Sequence, residues 1–340
     1  QLAGWFKELQ KLPTPERQKR FADFSVEEIE SFHQKSDSWD KITKQLTHEY
    51  PWETFNTFNL DQDSYHQKAL GIALIAKTAY MCIDTQRNMA SCYPAWCDTL
   101  LKSGFQVKSF GFEQDCSRGL AFYRGKEVIV AFRGSSKISD VLLDIDACHT
   151  SGYGGHTHRG LKLALDKVRD QLFATLEEIR EEVKEPLQLV LTGHSMGGAC
   201  AYFTACELAG QKDYEVNRVM TFGAPKVFDK NAAQFYRALG LHEKTIRFRN
   251  FADIVTYLPP TPSQVYQHVG QEYYISKNHE IWVNPPNYRM HLDQLQRFNS
   301  KEQEALGFEL RTIGDHSLHS YIKGLYLQKP TDHTDHTETH

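Results

Sequence analysis

The chain has 340 residues, of which 40% are hydrophobic and 24% are charged, so it is long enough and apolar enough to bury a large core. Its net charge of −4 gives no electrostatic basis for binding nucleic acid. No apolar run approaches the ~20 residues that cross a bilayer, so the sequence predicts no transmembrane segment.

Three segments follow one another along the chain. Residues 1–62 predict an N-terminal helical extension, because Ser25-Val26-Glu27-Glu28 forms a capping box and no strand pattern occurs there. Residues 63–328 form the main domain. The tail, 329–340, is a low-complexity stretch of Thr, Asp and His that predicts disorder, and its three histidines are interpreted as solvated rather than as metal ligands.

Helices and strands alternate through the main domain. Helices are predicted at 64–84, 95–102, 159–183, 196–209, 230–239 and 316–327. Strands are predicted at 105–110, 120–123, 127–132, 187–191, 217–222, 245–250 and 265–275, and residues 276–307 read as irregular. This order predicts an α/β fold with a mostly parallel central sheet and helices on both faces.

Seven cysteines are irregularly spaced, without a C-x-x-C pair, and the chain has no N-x-S/T sequon. This pattern is not that of a disulfide framework or of a zinc site. It slightly favours a reducing, cytoplasmic compartment over secretion.

The sharpest motif is Gly193-His194-Ser195-Met196-Gly197, which joins an apolar strand to a helix of small residues. It fits the G-x-S-x-G nucleophile elbow, in which the central serine adopts a strained backbone conformation. Glycine is required two residues before and two after, because a Cβ there would meet neighbouring backbone. The alternative is a glycine-rich turn with an incidental serine. The position between strand and helix favours Ser195 as a nucleophile.

A serine nucleophile needs a base and an acid that orients the base, and on this kind of fold both follow the serine along the chain. Asp253 is the preferred acid because it comes just after the strand at 245–250, and Asp229 is its rival. From pattern alone, either His316 or His319 could serve as the base, or both could be surface histidines.

Two further histidines are not expected to be the base, and His268 is expected to be structural. His194 should point away from the serine hydroxyl, and His268 lies inside the predicted late strand. For the oxyanion, backbone N–H groups of Met196 and Ser135 are the candidate donors.

Together these residues resemble the class 3 lipases, the fungal-lipase-like α/β-hydrolases. Seven motifs carry the resemblance, in the family's order: Val130–Ser135 with Asp144; His158-Arg159-Gly160; Gly193–Gly198; Thr221–Pro225; Asp253-Ile254-Val255 with Leu258-Pro259; His268-Val269-Gly270; and Asp315–Leu318 with Tyr321.

The resemblance implies an α/β-hydrolase fold with Ser195 as nucleophile, Asp253 as acid and His316, rather than His319, as base. It implies oxyanion donation by Ser135 and Met196. It also implies a lid over residues 136–149, whose members include Ser136, Val141, Leu142, Leu143 and Ile145. Val141 stands where an aromatic residue commonly occurs in the family.

The implied activity is hydrolysis of lipid carboxylic esters at a lipid–water interface, through an acyl-enzyme and without a metal or organic cofactor. Two alternatives keep the chemistry and change the substrate: a phospholipase A1 and a soluble-ester, feruloyl-type esterase. A third alternative is a catalytically silent lipase-like fold that acts as an interaction module.

Overall fold

The computed structural model describes residues 42, 45–46, 50–55, 65–81, 95–111, 118–135, 149–259, 266–298 and 316–328. Its helices are α1 (Tyr65–Met81), α2 (Ala95–Lys102), α3 (Arg159–Asp166), α4 (Arg169–Val183), α5 (Met196–Leu208), α6 (Lys230–Ala238), α7 (Asn287–Phe298) and α8 (Leu318–Tyr326). Most of the predicted N-terminal extension, the five lid residues named above and the tail 329–340 lie outside these ranges.

The strands of the described residues are β1 (Gln106–Gly111), β2 (Arg118–Arg124), β3 (Glu127–Phe132), β4 (His149–Gly152), β5 (Gly155–His158), β6 (Leu187–His194), β7 (Tyr214–Phe222), β8 (Thr245–Asn250), β9 (Gln271–Ile275) and β10 (Ile281–Val283). Eight of them form one sheet in the order β1-β2-β3-β6-β7-β8-β9-β10, and β4 pairs with β5. The neighbours from β3 to β9 are parallel, whereas the outer pairs are antiparallel. The predicted mostly parallel sheet is therefore confirmed.

Apolar side chains cover both faces of this sheet. On one face, Ile129 and Phe248 belong to a core that includes residues of α1, α2 and α8. On the other face, Val130 and Leu191 belong to a core that includes residues of α3, α4, α5 and α6. Burial on both sides explains why the central strands read as continuous apolar runs. Among the residues described, no helix is both long enough and apolar enough to cross a membrane.

The helix predicted over 159–183 is two helices, α3 and α4. They meet at Val168, whose N–H donates to the carbonyl of Leu165, three residues back, over 2.9 Å. The side chains of Val168 and Leu172 are both buried and four residues apart, so the apolar period runs through the break. The sequence pattern therefore could not distinguish two helices from one.

Two expectations near the end of the sheet are wrong. The late strand is shorter than predicted and begins at Gln271, because Gly270 has a φ of +77° that interrupts extended backbone. The segment predicted to be irregular contains β10 and α7. Its strand has only three residues, and Pro285-Pro286 before the helix favoured a loop interpretation.

Candidate active site

Ser195 lies at the turn between β6 and α5, with φ 57° and ψ −126°. This conformation is sterically strained for a residue with a side chain, and such strain is concentrated at functional sites. The N–H of Ser195 donates to the carbonyl of Phe222 at the end of β7, over 3.0 Å. The serine is thus fixed at the carboxyl edge of the parallel sheet, beside the end of the next strand.

The two glycines of the motif are required by close backbone packing, as predicted. A Cβ atom at Gly193 would lie 2.3 Å from the carbonyl carbon and oxygen of Gly197. A Cβ atom at Gly197 would lie 2.4 Å from the carbonyl oxygen of Phe132, at the end of β3. The start of α5 therefore packs directly against the end of β3.

Asp253 follows β8 and is fully buried. Both of its carboxylate oxygens lie 3.0 Å from Nδ1 of His316. The N–H of Val255 donates to Oδ1 over 2.9 Å, and the hydroxyl of Tyr321 donates to Oδ2 over 2.5 Å. The carboxylate is thereby held in one orientation, with the imidazole of His316 as its partner.

His316 is 1% exposed, just before α8. Because Nδ1 faces a carboxylate, it carries the proton of the neutral ring, which leaves Nε2 as the proton acceptor. Nε2 is buried and has no hydrogen-bond partner among the described residues, so the Ser195 hydroxyl is not bonded to it in this state. Catalytic hydrogen bonds of this kind often form only when substrate binds.

Gly223 lies next to both the anchor of the serine and the Asp253–His316 pair. It follows Phe222, which holds the Ser195 N–H, and its φ is +62°. A Cβ atom there would lie 2.6 Å from Oδ2 of Asp253 and 3.0 Å from Nδ1 of His316. Only glycine lets β7 end this close to the pair. Its role was missed at the level of single residues, although Thr221-Phe222-Gly223-Ala224-Pro225 belongs to the resemblance.

His194 points away from the serine and supports His316 instead. Its Nε2 lies 2.5 Å from the carbonyl oxygen of His316, and its Nδ1 lies 2.8 Å from the hydroxyl of Tyr80. Burial lowers the pKa of His194 well below its usual value, and the nearby His316 lowers it further. The neutral ring therefore donates from Nε2 and accepts at Nδ1, which ties the backbone of His316 to α1.

The rival residues make other contacts. Asp229 caps α6, since its Oδ1 accepts from the N–H of Ala232 over 2.8 Å. Nδ1 of His319 lies 3.3 Å from Oγ of Ser317 in the first turn of α8. His268 lies outside the strand, with Nε2 2.7 Å from the carbonyl oxygen of Thr256. Of the candidate bases, His316 is the one whose imidazole contacts Asp253.

The two candidate oxyanion donors come from neighbouring turns. Met196 begins α5, whose N-terminus carries the positive end of the helix dipole. Ser135 is buried and follows Gly134, where a Cβ atom would lie 2.5 Å from the carbonyl oxygen of His194. The loop after β3 thus packs against the elbow, on the side where Phe132 meets Gly197. In the ranges that the structure describes, His, Cys, Asp and Glu form no group of three or more that could hold a metal ion.

Tyr321 gives a prediction about how the acid is positioned. Its hydroxyl donates to Asp253 and accepts from the backbone N–H of Asn250 over 3.0 Å. Tyr321→Phe leaves both buried groups without this partner, so we expect a loss of about 1–3 kcal/mol in the free energy of unfolding. We also expect kcat to fall by about ten- to a hundredfold, because the imidazole is less well oriented. Urea denaturation and steady-state kinetics measure the two effects.

The control for this variant is Tyr214→Phe. The hydroxyl of Tyr214 donates to Glu177 over 3.1 Å, far along the chain from the acid. This change should leave kcat as it is. Equal kcat values for Tyr321→Phe and the unaltered chain would contradict the positioning role.

His268 gives a prediction about pH. Burial lowers its pKa well below the usual value, and the positive charges of Arg247 and Lys226 lower it further. Below about pH 6.5 the imidazole of His268 is therefore protonated in the unfolded chain but stays neutral in the folded chain. The free energy of unfolding decreases as the pH falls, because the unfolded state binds more protons. The contribution is at most about 1.4 kcal/mol per pH unit. We expect His268→Gln to lose stability less steeply than the unaltered chain between pH 6.5 and 5.

Urea denaturation at several pH values measures this slope. His291→Gln, at an exposed position of α7, is the control because it leaves the buried imidazole in place. Parallel stability curves for His268→Gln and the unaltered chain would count against the assignment.

The nonglycosylated LIP2 lipase of Yarrowia lipolytica superposes with a TM-score of 0.54 and 22% identity, over 66% of this chain and 83% of that one. A lipase from Rhizopus microsporus var. chinensis superposes with a TM-score of 0.52 and 20% identity, over 67% of this chain and 80% of that one. The protein therefore has the α/β-hydrolase fold, as predicted.

The sequence profile of the family described as lipase (class 3) matches residues 129–263, which include the elbow and Asp253. This part of the chain is therefore similar to the class 3 lipases. A lipase of Rhizomucor miehei is 29% identical over 160 residues, which is 45% of this chain and 43% of the relative. The secreted mono- and diacylglycerol lipase A of Penicillium cyclopium is 27% identical over 208 residues, which is 59% of this chain and 66% of the relative. The matched part thus spans 43% of the first relative and 66% of the second.

The slight preference for a cytoplasmic location is wrong. The relatives from Penicillium cyclopium and Penicillium camembertii are both named as secreted lipases. A chain of this length can bury enough surface to fold without disulfides, so the irregular cysteines carried little information about the compartment. Cys200 and Cys206 are buried on α5, where they act as small apolar side chains.

Proposed function

We propose that the protein is a serine hydrolase that cleaves the carboxylic ester bonds of lipids through an acyl-enzyme intermediate. The observation that carries this proposal is the buried pair of Asp253 and His316, whose Nε2 has no partner among the described residues, at the sheet edge that also holds the strained Ser195. An imidazole that is fixed on one nitrogen and open on the other suits a general base.

In the proposed mechanism, Ser195 attacks the ester carbonyl while Nε2 of His316 takes the hydroxyl proton. Asp253 accepts the hydrogen bond from Nδ1 and stabilises the imidazolium that forms. The N–H groups of Ser135 and Met196 hold the oxyanion of the tetrahedral intermediate. His316 then protonates the leaving alcohol. Water, activated by the same imidazole, releases the acid and restores the serine. This sequence uses no metal or organic cofactor.

Lipid esters are the proposed substrate class. Relatives that are named lipases, and among them mono- and diacylglycerol lipases, support this choice. The apolar residues Val141, Leu142, Leu143 and Ile145 of the proposed lid fit a flap that covers an apolar cleft and opens at a lipid–water interface. We further propose that residues 63–328 form the hydrolase domain and residues 1–62 an extension.

Covalent labelling tests the nucleophile separately from the substrate. We expect a fluorophosphonate probe to modify Ser195, as read by peptide mass spectrometry, and the Ser195→Ala chain to remain unlabelled. The labelled chain should lose its esterase activity. An intact chain that takes up no probe would favour the interaction module over an enzyme.

A substrate panel then separates the ester classes. Emulsified triacylglycerol and diacylglycerol should be hydrolysed faster than phosphatidylcholine vesicles or soluble short-chain p-nitrophenyl esters. Faster hydrolysis of phosphatidylcholine, with release of the sn-1 acyl chain, would identify a phospholipase A1 instead. Activity confined to soluble esters would identify an esterase.

A further inference from the structure

A cavity in the described part of the chain lies at the start of α7. Its volume is about 490 Å³, which is within the usual range for a small-molecule site. It lies between the end of β8, the short turn Val255–Tyr257 and the first half of α7. It is lined by Arg249, Tyr257, Asn287, Tyr288, Met290, His291 and Gln294. None of Ser195, Asp253 and His316 is among these residues.

Arg249 is the main chemical feature of this cavity. Its side chain is only 6% exposed, yet it is poorly paired. Nη1 lies 3.8 Å from the sulfur of Met290 and 3.6 Å from a carboxylate oxygen of Glu272. Nε and Nη2 have no acceptor among the described residues. A thioether is a weak acceptor and the Glu272 oxygen lies beyond hydrogen-bond distance, so this buried cation has no strong hydrogen-bond acceptor among the described residues.

The charges around Arg249 do not neutralise it. Glu272 is shared, because its other carboxylate oxygen lies 3.1 Å from Nη2 of Arg247. The amine of Lys226 is also close enough that both arginines help to lower its pKa, after the larger effect of burial. Asp293 accepts from two neutral donors, the Tyr274 hydroxyl over 2.9 Å and the Lys277 N–H over 3.0 Å, so these three cationic side chains stand against two carboxylates. The region around the cavity therefore carries an excess of positive charge.

The walls of the cavity are both apolar and polar. The ring of Tyr257 lies 4.1 Å from the guanidinium carbon of Arg249, and Tyr288 is 70% exposed at the rim. Methionine is unbranched and has three rotatable bonds, so a change of rotamer at Met290 would let a better acceptor reach Nη1. Asn287 and His291 are exposed on the first turns of α7. Such a site suits a ligand with a charged oxygen at one end and a hydrocarbon chain at the other.

We propose that this cavity binds an amphiphilic anion, with a carboxylate or phosphate oxygen on Arg249 and the hydrocarbon chain against Tyr288 and Met290. The two head groups share the chemistry that a guanidinium recognises. A fatty acid would supply a carboxylate head group, and a phosphorylated lipid would supply a phosphate head group.

Calorimetric titration of the full chain with octanoate, octyl phosphate and octanol tests the proposal. None of the three is an ester substrate, so the result does not depend on hydrolysis. Prior modification of Ser195 by an organophosphate blocks the proposed catalytic cleft. We expect at least one anion to bind in a 1:1 ratio and octanol to bind at least about tenfold more weakly, as loss of a charge-assisted hydrogen bond implies. The tighter anion identifies the head group.

Three variants locate the binding. Arg249→Met should weaken anion binding at least about tenfold. His291→Glu puts a negative charge on a lining residue without changing the buried arginine, and it should weaken binding severalfold. Leu292→Glu is the matched control, since Leu292 is 56% exposed on the same helix and does not line the cavity.

Octanol that binds as tightly as the tighter of the two anions would overturn the proposal. So would equal losses in His291→Glu and Leu292→Glu, or anion binding that survives Arg249→Met in a folded chain. If Ser195 does not react with the organophosphate, the proposed hydrolase activity is contradicted. The comparison of the three variants still shows whether the cavity binds the anion.

Discussion

Replacing Ser195 with alanine is expected to abolish ester hydrolysis while the chain stays folded. The substitution removes the nucleophilic oxygen, and by analogy with other serine hydrolases kcat should fall by roughly 10⁶-fold. Alanine keeps the same Cβ in the same strained backbone, and the anchoring N–H bond to Phe222 is a backbone bond that the change does not touch. Initial rates on emulsified diacylglycerol measure the loss, and urea denaturation checks the fold.

The other two residues of the proposed triad sharpen this test. His316→Ala should reduce kcat about as much as Ser195→Ala, and Asp253→Asn by roughly 10⁴-fold. The double variant of Ser195 and His316 should be no slower than either single variant, because residues that act as a unit do not lose rate additively. If the Ser195→Ala chain keeps a tenth of the activity, the nucleophile is a residue other than Ser195.

Gly193→Ala has the largest expected effect on stability. The new methyl group would lie 2.3 Å from the carbonyl carbon and oxygen of Gly197, and these backbone atoms cannot rotate out of its way. The turn between β6 and α5 would have to open, at a cost of about 3 kcal/mol or more. This is a large part of the ~5–15 kcal/mol that holds a typical domain together. Urea denaturation measures the change, and activity should fall with it because Ser195 moves.

Gly152→Ala is the matched control. Gly152 ends β4, its φ lies outside the left-handed region, and a Cβ atom there would have no heavy atom within 4 Å. This change should alter stability by no more than about 0.5 kcal/mol. Equal stability of the two glycine variants would show that the elbow is looser than the structure indicates.

The sequence predicts those parts of the site whose residues lie close together in the chain better than those that depend on contacts between distant residues. The elbow was readable because its glycines and its serine act within one turn. Asp253 was readable because it follows a strand at the edge where such residues gather. His316 and His319 share one polar run, so pattern alone could not separate them. Their difference lies in which ring faces Asp253, a contact between residues 63 positions apart.

The supporting contacts were harder to predict. The hydroxyl of Tyr80 contacts His194, which is 114 positions away in the sequence. No residue pattern near either residue predicts this contact. Tyr321 belonged to a recognised motif, but only the fold brings its hydroxyl to Asp253. The break between α3 and α4 was missed for the opposite reason, since the apolar period there is the same with or without it.

The bond from His194 to the carbonyl of His316 has a consequence for biosynthesis. On a ribosome, the serine and its elbow emerge more than a hundred residues before the histidine that would activate them. Until α8 docks beside Tyr80 and His194, the nascent polypeptide presents an alcohol without a base. The proposed ester hydrolysis should therefore arise in a single late step of maturation, and a translation product that stops short of α8 should be inert towards the membranes of the cell that makes it.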